Sequence, residues 1–231
     1  MDSGLSITSR RDLHVGRWIL LLLCLALLAG AGYYLYRWYT QGDTIPVPIP
    51  AFSNADPSID ETPLTVKQLN EYSVEPTHPR YISIPSLDIK KARVIPVGLT
   101  ENSTLDTPRN ISDTAWYTKS ATPGSGPGAL MINGHNGGVT RDGVFARLAD
   151  LKKDDKIIIE RGDGKKFTYF TKSNTTMSLA EANKTGMRTL MHSADPAREG
   201  LSLITCAGKW IPRDKVFDQR VMVRAVSQSE L

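Results

Sequence analysis

Residues 18–36 read WILLLLCLALLAGAGYYLY, 19 residues without a single charge. As a helix this run would rise about 28 Å, close to the hydrocarbon thickness of a bilayer. The core helices of soluble proteins seldom avoid charge for so long. The flanks orient the segment. Arg10, Arg11 and Arg17 precede it, whereas only Arg37 closely follows it. That bias places the N-terminus in the cytoplasm and the bulk of the chain outside the membrane. Tyr33, Tyr34, Tyr36, Trp38 and Tyr39 would then form the outer aromatic belt. A cleaved signal peptide is the competing reading, with Ala29-Gly30-Ala31 as its small-residue cleavage site. The length of the run and its aromatic flank favour an uncleaved, single-pass anchor. Either reading exports the remainder, as expected of a bacterial surface protein.

The rest of the chain divides by texture. Residues 1–17 read as a cytoplasmic tail, 18–36 as the transmembrane anchor and 37–77 as a linker. The linker is Pro-rich, with IPVPIP at 45–50 and prolines at 57, 63 and 76, which favours extended backbone that lifts the domain off the membrane. It is also acidic: residues 38–77 carry one Lys against six Asp and Glu, a net charge of −5. Residues 78–231 form the exported domain and carry 23 basic and 16 acidic residues, a net of +7. A basic exported surface suits anionic lipid headgroups or cell-wall polymers. An extracytoplasmic domain without a basic-aromatic motif excludes nucleic acid as a partner.

Within 78–231, short β-branched and apolar runs alternate with turn residues. Strands are predicted at 81–84, 92–97, 114–117, 129–133, 156–161, 166–171, 201–206 and 220–226. The run 129–133 looks fully buried, and Gly162-Asp163-Gly164-Lys165 is a hairpin signal between two strands. Helix is sparse: one or two turns at 65–72, one at 144–148, and part of 179–192. About eight short strands in 150 residues argue an all-β sandwich or barrel.

Cys24 lies in the apolar span and Cys206 in the exported domain, so the two cannot pair. An unpaired thiol in an exported domain is unusual. Cys206 ends the run Leu201-Ser202-Leu203-Ile204-Thr205, and Gly208 follows. The predicted position is therefore a strand end beside a turn, where side chains can meet a substrate. A cysteine nucleophile acts as thiolate and requires a base and cationic support. His14 lies on the cytoplasmic side and His78 in the linker region. His192 sits in a polar, helical-looking stretch. His135 sits in Met131-Ile132-Asn133-Gly134-His135-Asn136-Gly137-Gly138, a glycine-wrapped loop after a buried strand, and is preferred. For a developing oxyanion, arginine is the suited donor. Arg220 opens the last predicted strand; Arg224 on the same face and Arg213 in the preceding loop are rivals.

Three segments in order, Gly134-His135-Asn136, Leu203-Ile204-Thr205-Cys206 and Arg220-Val221-Met222-Val223, resemble the sortase family. So do Ile82-Ser83-Ile84-Pro85-Ser86-Leu87-Asp88-Ile89, Ala115-Trp116-Tyr117 and Gly143-Val144-Phe145-Ala146-Arg147-Leu148. The resemblance covers about residues 79–228. It implies an eight-stranded β-barrel with short helices behind the single membrane helix. It implies Cys206 as nucleophile, His135 as general acid and base, and Arg220 as the group that steadies substrate and oxyanion. Thr205, Ile204 and Asn136 would contact substrate. The implied reaction is transpeptidation: an LPXTG-type sorting signal is cut between Thr and Gly through a thioester. The protein then passes to an amine of a peptidoglycan precursor or a pilin. Within the family the short loops resemble classes D, E and F, with the Gly-Asp-Gly hairpin leaning toward F. Asp150, Asp154 and Asp155 cluster but read as a solvated turn, so neither metal nor other cofactor is expected. A cysteine peptidase that hydrolyses, and a tethered binding module with an inert Cys206, are the alternatives the residues leave open.

Overall fold

Period-two burial builds the sheet. In β5 (Lys156–Arg161), Ile157 and Ile159 are buried while their neighbours are not, as alternation across a pleat requires. β5 turns through residues 162–165 into β6 (Lys166–Ser178). The computed structural model describes residues 10–46 and 55–228. Its remaining strands are β1 (Pro79–Ile84), β2 (Ile89–Val97), β3 (Thr114–Tyr117), β4 (Gly128–Gly134), β7 (Glu199–Ile211) and β8 (Val216–Ser227). They close into one barrel in the order β1-β2-β3-β4-β7-β8-β6-β5, which leaves no open sheet edge. All eight predicted strands are present, and β6, β7 and β8 are longer than expected.

The strands β4, β7 and β8 are buried on both faces. Leu130, Ile132, Leu201, Leu203, Val221 and Val223 enter the barrel core. Met131, Ile204 and Met222 point outward into a second cluster with Ala182 and Leu190. That cluster lies under the β6–β7 connection, which contains α3 (Leu179–Glu181), a π turn (Ala182–Gly186) and α4 (Met187–Leu190). Covering both faces explains why residues 129–132 read as a continuous apolar run rather than an alternating one.

Ahead of the barrel, α1 (Arg10–Gln41) is a single helix of 32 residues. It extends beyond the 19-residue uncharged run at both ends, and residues 15–41 are long and apolar enough to cross a membrane. Its C-terminal end touches the barrel: Arg37 and Lys209 share the carboxylate of Asp43. Most of the IPVPIP run lies outside the described residues. Of the expected linker 37–77, residues 37–41 belong to α1, and residues 55–77 lie along the barrel. Asp60 bridges to Asn110, α2 (Val66–Asn70) is N-capped by Thr65, Tyr72 donates to the Val94 carbonyl at 2.7 Å, and Tyr81 donates to Leu69.

Candidate active site

Parallel pairing of β4 with β7 brings the candidate residues together. The ladder ends at Asn133 opposite Ile204. Because the two strands run the same way, His135 and Cys206 leave that ladder at the same end, each two residues on. Antiparallel pairing of β7 with β8 then sets Arg220 directly opposite Cys206. Opposed residues share a face, and so do residues two apart on a strand. Met131, Asn133 and His135, Ile204 and Cys206, and Arg220 and Met222 therefore face outward together. They open onto one cleft of about 710 Å³, which His135, Ile204, Thr205, Cys206 and Arg220 all line. Asn136 falls on the other parity and is not among the lining residues; its carbonyl accepts from Gly143 N at 3.0 Å.

The strand carrying Cys206 does not end there. β7 continues to Ile211 past a register shift between Ala207 and Trp210. Gly208 takes φ +79 at this bulge, a region open to glycine. The Asp218 carboxylate accepts from Lys209 N at 2.7 Å and holds the bulged segment. The Gly-containing break seen in sequence is thus a bulge within the strand rather than a turn after it. Likewise β8 begins at Val216, four residues before Arg220.

Cys206 is half-buried. Burial pushes its thiol pKa up, the Arg220 guanidinium pulls it down, and the Asp56 carboxylate pushes it up again. The net direction is upward, which favours the protonated thiol. Arg220 donates through Nη1 to the carbonyls of Phe217 and Gln219 at 2.9 and 2.7 Å, which ties one nitrogen of its guanidinium to the backbone of its own strand. The rival Arg224 pairs with Ser202 and donates to the carbonyls of His192 and Ser193, far from Cys206 along the strand. Arg213 pairs with Asp214. His192 is exposed, and His78 stacks on Trp116 at 4.7 Å.

The imidazole of His135 lies 2.6 Å through Nε2 from the carbonyl oxygen of Pro108. A carbonyl only accepts, so Nε2 carries hydrogen and Nδ1 is left to exchange a proton. The histidine loop closes on itself: Phe145 N donates to the His135 carbonyl at 2.9 Å. A Cβ on Gly143 would come within 2.2 Å of that same oxygen, so only glycine fits. Thr205 lines the cleft while its hydroxyl donates to the Gly134 carbonyl at 2.8 Å.

Several participants escaped the sequence reading. Pro108 comes from the β2–β3 connection, which also lends Leu99, Thr104 and Leu105 to the cleft, while α4 lends Met187 and Arg188. Four methionines between 177 and 222 were the available signal for the second wall, since Met is an apolar gap-filler. Asp56 lies in the expected linker and gave no signal. Asp150, Asp154 and Asp155 are held apart in use: Asp150 pairs with Arg147, Asp154 with Lys172, and Asp155 accepts from Lys152 N.

A family model described as Sortase domain matches residues 82–228, more than half of the 231 residues. Sortase A from Corynebacterium diphtheriae is 22% identical over 89% of this chain and 83% of its own, with a TM-score of 0.49. Sortase C-1 from Actinomyces oris is 18% identical over 76% of this chain and 92% of its own, with a TM-score of 0.49. The pilus-related sortase C of Group B Streptococcus is 17% identical over 76% of this chain and 79% of its own, with a TM-score of 0.48. No curated protein matches.

Proposed function

This chain belongs to the sortase family, and from that premise we propose that Cys206, His135 and Arg220 carry out its reaction on an LPXTG-type sorting signal. Family membership makes it a transpeptidase that anchors proteins to the cell wall. The reading of its residues rests on one observation: Arg220 faces Cys206 across the β7–β8 ladder, on the cleft that His135 also lines.

The Cys206 thiol gives its proton to His135 Nδ1 as Sγ attacks the Thr carbonyl of the signal. Charge gathers on the carbonyl oxygen, and the Arg220 guanidinium meets it. The tetrahedral species collapses, the Thr–Gly bond breaks, and His135 returns the proton to the leaving glycine amine. A thioester remains on Cys206. An acceptor amine from a peptidoglycan precursor or a pilin then attacks, His135 takes its proton, and the thiol leaves. Thr205 and Ile204, which line the cleft, are proposed to contact the substrate, whereas Asn136, outside that lining, is proposed to act only through the histidine loop. α1 is proposed to anchor the enzyme with residues 1–17 cytoplasmic and the barrel outside, residues 37–77 connecting the two. The short loops are in keeping with classes D, E and F, and the Gly162-Asp163-Gly164 hairpin leans the subclass toward F.

The test incubates the protein with an LPXTG-type peptide and a small amine, read by mass spectrometry. A peptide cut after Thr and joined to the amine, with a thioester adduct that Cys206→Ala abolishes, is the expected outcome. Cleavage without transfer in the presence of amine would favour a hydrolase. An unreactive folded Cys206 with no cleavage would end the proposal.

A further inference from the structure

The expected linker grips both supports of His135. On one side, Asp60 N donates to the Arg109 carbonyl at 3.0 Å, and Ile111 N donates back to the Asp60 carbonyl at 2.9 Å. The Asn110 amide adds bonds to Asp60 Oδ2 at 3.2 Å and the Thr62 carbonyl at 2.8 Å. These contacts flank Pro108, whose carbonyl holds His135 Nε2. On the other side, the loop following His135 folds back as a small hairpin. Gly137 bridges Asp142, and Gly138 N donates to the Arg141 carbonyl at 2.8 Å. The tip of that hairpin is capped by one carboxylate. Glu61 accepts from the backbone N–H of Val139, from the backbone N–H of Thr140 at 3.1 Å and from the Thr140 hydroxyl. Arg141 Nη1 donates to the Glu61 carbonyl at 2.6 Å. The fit is close: a Cβ on Gly138 would fall 2.3 Å from Glu61 Oε1.

We infer that Glu61 is a positioning residue for His135, clamping the histidine hairpin against the Pro108 carbonyl so that Nδ1 is the nitrogen held free for proton transfer. The inference rests on His135 being the acid and base of the proposed reaction. The cluster has no other evident task. Its donors are exposed N–H groups that water would satisfy equally well, so the clamp adds little to global stability. What it adds is order between two loops that are also joined through the imidazole and by a hydrogen bond from Val144 N to the Ile111 carbonyl at 3.0 Å. Loosening a catalytic group by about an ångström costs on the order of a hundredfold in rate.

The experiment uses the full chain in detergent micelles. Transpeptidation of an LPXTG-type peptide is measured beside the ¹⁵N spectrum of the histidine rings, with His135 assigned through His135→Gln. Wild type shows His135 with hydrogen on Nε2. In Glu61→Ala, kcat falls about tenfold or more while KM stays within about twofold. The His135 signal becomes a mixture of tautomers, and the unfolding midpoint is unchanged. Glu61→Gln keeps an acceptor oxygen and restores most of kcat. Arg141→Ala, which removes one contact, moves both readouts the same way by less, and serves if Glu61→Ala does not fold. A His135 tautomer unaltered in the variants overturns the clamp whatever the rate does, as does a change in KM alone. If wild type transfers no peptide, the proposed reaction fails, and the ring spectra still decide the role of Glu61.

Discussion

Replacing Thr205 by valine separates two roles for one side chain. Thr205 is 4% exposed, and its hydroxyl donates to the Gly134 carbonyl at 2.8 Å. The backbone ladder between β4 and β7 ends one residue earlier, at Asn133 and Ile204. The hydroxyl therefore extends the coupling of the two strands by one step, between the residue before His135 and the residue before Cys206. Valine keeps the shape and removes the donor. The cost is that of a buried acceptor losing its partner, about 1 to 3 kcal/mol. For a domain of this size that corresponds to a fall in midpoint of roughly 2 to 12 °C. Thr205→Ser keeps the hydroxyl and should recover most of the loss. The assay is unfolding of the full chain in detergent by near-ultraviolet circular dichroism, run beside transpeptidation kinetics. Loosening the strand pair also separates base from nucleophile, so kcat should fall at temperatures where the variant is fully folded. A Thr205→Val protein as stable as wild type to within about 0.5 kcal/mol, with only KM raised, would refute the reasoning. It would mean that the hydroxyl works on the substrate.

Three further outcomes are expected. The alkylation rate of Cys206 against pH should show a midpoint above that of an ordinary thiol; Asp56→Asn should lower it by removing a carboxylate, and Arg220→Gln should raise it by removing the cation. A midpoint that ignores both substitutions would remove those charges from the site. Asp163, beside Arg161 in the β5–β6 hairpin, has a pKa depressed to about 2. Its support of the hairpin is present above the ordinary carboxylate pKa of about 4 and is lost as pH falls toward 2. Carboxyl ¹³C shifts of Asp163 that titrate at the ordinary value would contradict the pair. Tyr169 is fully buried and donates to the Glu199 carboxylate, which also accepts from Gly124 N and Gly126 N at 2.9 and 3.1 Å. Tyr169→Phe should destabilise the barrel by about 1.5 to 3 kcal/mol in urea titration, the worth of a bond to a charged group; an unchanged midpoint would mean that the two glycine N–H groups alone satisfy the carboxylate.

The eight strands were legible because each reports its own burial. The alternation in β5 and the apolar run in β4 are local patterns, and local patterns survive in one dimension. Cys206, His135 and Arg220 were singled out because each belongs to a chemically special type at a recognisable point in a strand pattern. The choice between Arg220 and Arg224 was not legible from spacing, since both share a face. Register separates them: Arg220 lies opposite Cys206, and Arg224 lies opposite Ser202. Register is a relation between distant segments and leaves no mark in either one.

The same argument accounts for the linker. Proline at 57 and 63 argues against helix and sheet, and it does so correctly. It does not argue against binding, because an extended segment presents its N–H, carbonyl and carboxylate groups outward. Here Asp60 and Glu61 meet the two loops that hold His135, and Asp56 comes near enough to Cys206 to bear on its charge. An acidic, extended strip reads as solvated when taken alone. Its partners are backbone N–H groups at the tip of a glycine-rich hairpin, whose sequence reads only as flexible. Two segments that each look unstructured specify one geometry when they meet, and His135, whose Nε2 lies against the Pro108 carbonyl, sits where they do.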